Sequence, residues 1–129
     1  MLDTQVDPLV NQASPAGLVQ IPGQLLMTSC GDVLDIRTGA VVHTVTSVGG
    51  DEIWFNSGDE RVYFGGGLNR ISVPVVSGVT PFNLITTLTV GTNAVTPAHT
   101  THSVAADSEN NHIFIPVSHE GVKVYTENE

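Results

Sequence analysis

The stretch Asp51-Glu52-Ile53-Trp54-Phe55-Asn56-Ser57-Gly58-Asp59-Glu60-Arg61-Val62-Tyr63-Phe64 decides how this chain is read, because its pattern returns as His102-Ser103-Val104-Ala105-Ala106-Asp107-Ser108-Glu109-Asn110-Asn111-His112-Ile113-Phe114-Ile115. In both copies an apolar run is followed by a turn anchored at Ser57 or Ser108, and then by a second apolar run. The match needs no gap over residues 51–73 and carries Ile71 and Val73 onto Val122 and Val124. Self-similarity at a fixed offset marks a repeated supersecondary unit. A weaker partial copy lies upstream, where Leu25, Leu26 and Val33 align with Tyr63, Phe64 and Ile71 at an offset of 38.

Outward from this repeat, the chain is a succession of short β-prone runs. Strands are expected at 25–28, 33–36, 41–46, 53–55, 62–64, 71–76, 84–90, 104–106, 113–117 and 122–125, about ten in all at close spacing. The connections Arg37-Thr38-Gly39, Asn56-Ser57-Gly58-Asp59 and Glu109-Asn110-Asn111 use residues that tolerate tight-turn dihedrals or bond their own backbone. Antiparallel hairpins follow. Each copy reads as strand, turn, strand, loop, strand, with a fourth strand before the next copy. Residues 1–17, with Pro8, Pro15 and Gly17 among polar neighbours, read as an N-terminal arm in which 6–10 is a strand only if a sheet edge captures it. Residues 18–129 form the β domain, with repeats near 18–50, 51–100 and 101–129.

Composition agrees with an all-β domain. The 129 residues include nineteen valines and fourteen threonines but one lysine and two methionines, which favours strands over helices. Apolar residues at 40% can fill a core. Four basic against thirteen acidic residues give a net charge of -9, which repels phosphate backbones and anionic lipid heads. Neither nucleic acid nor membrane is an expected partner. No apolar run is long enough for a membrane span, and Met1 to Pro8 lacks the features of a signal peptide. The single cysteine, Cys30, leaves no intrachain disulfide to form. As it stands the chain is expected in the cytoplasm; as a fragment of a longer exported protein it would be periplasmic or secreted.

His102-Ser103-Val104-Ala105-Ala106-Asp107, His112-Ile113-Phe114-Ile115-Pro116 and Gly121-Val122-Lys123-Val124-Tyr125, each echoed in the second copy, resemble the YVTN-type β-propeller repeat. Residues 35–42, an acidic residue with a Thr-Gly turn, look like the link between the third and fourth strands of such blades. The resemblance covers roughly residues 18–125 and implies a propeller-like array of about three antiparallel blades. It implies architecture more than activity, since propellers host unrelated functions. Propellers usually close with four to eight blades, so three imply a piece of a longer propeller or closure by a homo-oligomer, with a dimer of six blades favoured. The arm at 6–10 would then complete the last blade. Trp54, Phe55, Tyr63 and Phe64 are expected between blades, whereas Leu25, Leu26, Ile113 and Ile115 would lie on uncovered outer faces.

Histidines are the first candidates for chemistry, because imidazole binds metals and relays protons. His99 and His102 share a loop, with His112 and His119 nearby. The repeat makes His102 and Asp51 equivalent positions before the innermost strand, so in a propeller both would line the channel mouth and face one ligand. Asp51, His99 and His102 are therefore the candidate ligand-binding residues, against the plainer reading that they are turn residues bonded to nearby backbone. His112 reads as an exposed turn flank, and His119-Glu120 and Asp59-Glu60 as solvated polar pairs. Cys30 has no base placed beside it and reads as a small buried residue. Gly65-Gly66-Gly67 lies between strands rather than before a helix, which makes it a permissive turn rather than a phosphate cradle.

No catalytic residue, metal site or cofactor is expected. The leading expectation is a non-catalytic binding or assembly module whose partner is a protein or a small molecule. One alternative is a metal-assisted hydrolase or lactonase using Asp51, His99, His102 and Glu52. Another is a β-sandwich carbohydrate-binding module, which the offset-51 repeat disfavours.

Overall fold

The computed structural model describes residues 16–126, and these form strands, turns and one short 3-10 turn at Leu68–Arg70. The strands make three antiparallel sheets. The first contains β1 (Leu18–Ile21), β2 (Leu25–Thr28), β3 (Asp32–Asp35) and β4 (Val41–Thr44) in chain order. The second contains β5 (Glu52–Asn56), β6 (Arg61–Gly65), β7 (Ser72–Ser77) and β8 (Leu84–Thr89), again in chain order. The third contains β9 (Ala105–Asp107), β10 (His112–Val117) and β11 (Gly121–Tyr125), with β10 in the middle. No sheet closes on itself, and no helix among the described residues is long and apolar enough to cross a membrane. The expected strand at 6–10 lies outside the described residues.

The repeat is visible in the hydrogen-bond register. Trp54 faces Tyr63, Phe55 faces Val62 and Asn56 faces Arg61; in the third sheet Ala105 faces Phe114, Ala106 faces Ile113 and Asp107 faces His112. The next pair of strands departs from the ungapped alignment. Tyr63 faces Val75, whereas Phe114 faces Val124. Val124 therefore corresponds to Val75, and Val122 to Val73, because the middle sheet inserts two more residues in its β6–β7 loop. A slip of two preserves which face each side chain takes.

Alternation along the strands builds two cores, one on each side of the middle sheet. Met27 and Val33 of the first sheet pack with Ile53, Val62, Phe64 and Val76. Tyr63, Val73 and Val75 turn the other way and pack with Val104, Ile113, Ile115 and Val117 of the third sheet. A sheet covered on both faces has nearly continuous apolar strands, which is what Arg61–Gly65 and Ser72–Ser77 show. The third layer also separates this fold from a two-sheet sandwich. The first strands of neighbouring sheets adjoin, β1 with β5 and β5 with β9.

Three expectations need correcting. Residues 18–21 form a strand that the sequence does not announce. Ile113 and Ile115 are buried against the middle sheet, and Leu25 is packed on the first core. Trp54 is 42% exposed rather than enclosed, while its neighbour Phe55 packs on the first core.

Candidate recognition site at one end of the sheets

An antiparallel meander returns alternate turns to the same end, so the β2–β3, β6–β7 and β10–β11 loops share one end of the molecule with the connections between sheets. Asp51 and His102 sit there, just before β5 and in the connection leading to β9. Their side chains meet: His102 Nδ1 lies 2.5 Å from Asp51 Oδ2. Both remain substantially exposed, so the pair contributes about 0.2–1 kcal/mol to stability at most. Its interest lies in what it presents to solvent.

Arg70 reaches the same carboxylate, with Nε 3.7 Å from Asp51 Oδ2. Its placement uses an unusual backbone. Asn69 and Arg70 have φ of 57° and 60°, a left-handed conformation that costs a non-glycine residue about 1 kcal/mol or more. The loop is tied on all sides: Arg70 N donates to Gly67 O at 2.6 Å, Gly67 N to Ser72 O at 2.8 Å, and Thr101 N to Arg70 O at 2.7 Å. That last bond fixes the β6–β7 loop to the segment carrying His102.

Glycines open the space in front of these groups. Gly49, Gly50, Gly66 and Gly67, with Asp51, Asn69, Arg70 and Asn93, line an open polar groove of about 540 Å³. Gly65, beside it, is required by packing, since a Cβ there would lie 2.6 Å from the Ser103 carbonyl carbon. The glycine run thus lets two sheets approach and leaves backbone at the groove wall. Among the sequence signals, Arg70, Asn69 and Asn93 had none that tied them to Asp51.

His99 goes elsewhere. Its Nδ1 is 2.8 Å from Glu120 Oε2, and its ring centroid is 5.8 Å from that of His119. Glu120 also binds Lys123 Nζ at 2.9 Å, and Lys123 donates to Val90 O at 2.7 Å. Hydrogen bonds from Lys123 first and His99 second hold the Glu120 carboxyl below its ordinary range, and Glu120 in turn raises Lys123. The pair His119-Glu120, read as solvated, is thus a tie between the β10–β11 turn and the connection leading to β9. Asp59 is likewise engaged: it accepts from Tyr63 Oη at 2.5 Å and from Arg61 N at 3.0 Å.

Among the described residues no three His, Cys, Asp or Glu side chains come together in a way that would hold a metal ion. The set Asp51, Glu52, His99 and His102 that a hydrolase would need is therefore not assembled within these residues. Cys30 is buried, and burial first, then the charge of Asp32, raises its thiol pKa, which disfavours the nucleophilic thiolate. Compared with known proteins, the sequence matches no family model and no curated protein.

Proposed function

We propose that this chain is a non-catalytic recognition and assembly module, an arc of YVTN-type propeller blades that takes a polar ligand in the groove beside Asp51 and His102. Support for the arc comes from successive meanders stacked face to face with their first strands adjoining. The observation that carries the binding site is that Asp51, which lines an open groove, meets His102, its equivalent in the neighbouring sheet. A carboxylate, a guanidinium and two carboxamides line the groove and offer donors and acceptors of both kinds, and the His102 imidazole, outside that lining, is bonded to the carboxylate. Their ligand is a hydrogen-bonding one, a polar small molecule or a protein loop, rather than an apolar one.

Calorimetric or NMR titration with a panel of neutral, acidic and basic peptides and polar small molecules tests this reading. A ligand that shifts the amides of Gly49, Gly66 and Asn93, and loses about tenfold in affinity in Asp51→Ala and His102→Ala, is the expected result. Metal-dependent ester or lactone hydrolysis lost in the same variants would overturn it.

A further inference from the structure

We infer that the outer face of the third sheet docks, head to tail, onto the outer face of the first sheet in a second copy of this chain. This stands on the stacking alone and goes beyond the ligand groove. The third sheet has one face against the middle sheet and one face with no cover within the described residues. Val122 and Val124 are 63% and 54% exposed there, beside Phe114 and Pro116, their cross-strand partners.

The repeat identifies what this face is shaped to receive. By register, Phe114, Val122 and Val124 correspond to Tyr63, Val73 and Val75. On the middle sheet those three residues are buried, because the next sheet packs on them. That next sheet presents Ile113 with its cross-strand partner Tyr125. The middle sheet presents the corresponding pair, Val62 and Val76, to the sheet before it. On the first sheet the facing pair of this kind is Leu26 and Leu34, on the side away from Met27 and Val33. Leu18 and Val42, 58% and 54% exposed, widen the same side. Among the described residues there is therefore one uncovered face of each kind, at opposite ends of the stack.

Such a contact is heterologous, and two copies joined twice by it close a ring of six sheets. The residues at the centre of the two faces, Phe114, Pro116, Val122 and Val124 on one and Leu18, Leu26, Leu34 and Val42 on the other, are all uncharged; Asp107 and its partner His112 lie on the same outer face as Phe114, at the end of the third sheet, and the whole chain carries -9.

Sedimentation velocity at micromolar concentration tests the inference with two double variants, Leu18→Asp/Val42→Asp on the first face and Val122→Asp/Val124→Asp on the third. Wild type is expected to sediment as a dimer, and each variant alone to self-associate at least about tenfold more weakly. An equimolar mixture of the two variants is expected to form a one-to-one complex, since one intact contact of the head-to-tail kind survives. A monomeric wild type would overturn the inference, as would a mixture that fails to associate while both variants keep the wild-type near-ultraviolet circular dichroism. Should a variant not fold, a Val42→Cys chain and a Val124→Cys chain, both with Cys30→Ser, provide the second reading. Disulfides between unlike chains support head-to-tail docking, and disulfides only between like chains contradict it.

Discussion

His102 and Asp51 lie 51 residues apart in sequence, occupy matching places before the first strands of two neighbouring sheets, and meet in a hydrogen bond of 2.5 Å. A repeat normally separates its equivalent residues by one unit. Here the Thr101 to Arg70 backbone bond ties the connection before β9 to the β6–β7 loop, and His102 reaches the Asp51 carboxylate directly.

Because both side chains are exposed, the pair adds little to folding. His102→Ala is expected to change the urea-unfolding free energy by no more than about 0.5–1 kcal/mol. A loss above about 2 kcal/mol, far outside the range of exposed ion pairs, would assign it a structural role instead.

The strained loop makes a different prediction. Arg70→Gly removes the guanidinium from the groove while relieving the left-handed backbone at that position. Thermal unfolding is expected to show unchanged stability or a gain of up to about 1 kcal/mol, alongside loss of ligand binding.

Packing separates two aromatic neighbours. Phe64 is fully buried in the middle of the first core, and Phe64→Ala is expected to cost about 3–5 kcal/mol. Trp54→Ala should cost about 1 kcal/mol or less, and the fluorescence of this only tryptophan should be quenched by iodide in the folded protein.

Two turns at the far end lean on each other. Asn56 Nδ2 donates to Asn111 Oδ1 at 3.1 Å, and a Cβ at Gly58 would collide with Asn111 Oδ1 and the Ser108 carbonyl oxygen. Gly58→Ala is therefore expected to destabilise by about 1–3 kcal/mol. Gly49→Ala, whose Cβ would meet only Ser29 O at 4.0 Å, serves as the near-neutral control in the same denaturation series.

Glu120 ties pH to the β10–β11 turn. Its carboxyl is held below the ordinary value of 4.5 by Lys123 and then His99, so its contribution is present above that value and lost as pH falls through the lower folded-state one. Lys123 is raised above 10.5, so its share is present below that value and lost at higher pH. Glu120→Gln is expected to flatten the acid side of the melting-temperature profile slightly; an unchanged acid slope would show that the bridge contributes nothing.

Much of the fold was legible because alternation and turn chemistry are local. Ile53, Val62 and Phe64 announce a hairpin through their spacing around Ser57-Gly58, and Val104, Ile113 and Ile115 repeat it. Residues 18–21 escaped because Gly17 and Pro22 bracket a run of four that contains Gln20. Trp54 was misplaced because alternation assigns a face but not its cover, and β9 beside it offers only the short Ala105 and Ala106. The two-residue register slip left no trace, since it conserves faces. At the site, Asp51 and His102 were found through the repeat, whereas His99 with Glu120 and Arg70 with Asp51 depend on loop paths that no local pattern encodes.

The central claim is that one sheet is buried on both faces between its two neighbours, and methyl NOE spectroscopy tests it most directly. Val62 methyls are expected to contact the core containing Met27 and Val33, and Val75 methyls the core containing Ile113 and Ile115, with no exchange of partners. A single network in which Val62 and Val75 contact the same residues, as in a two-sheet sandwich, would contradict the account.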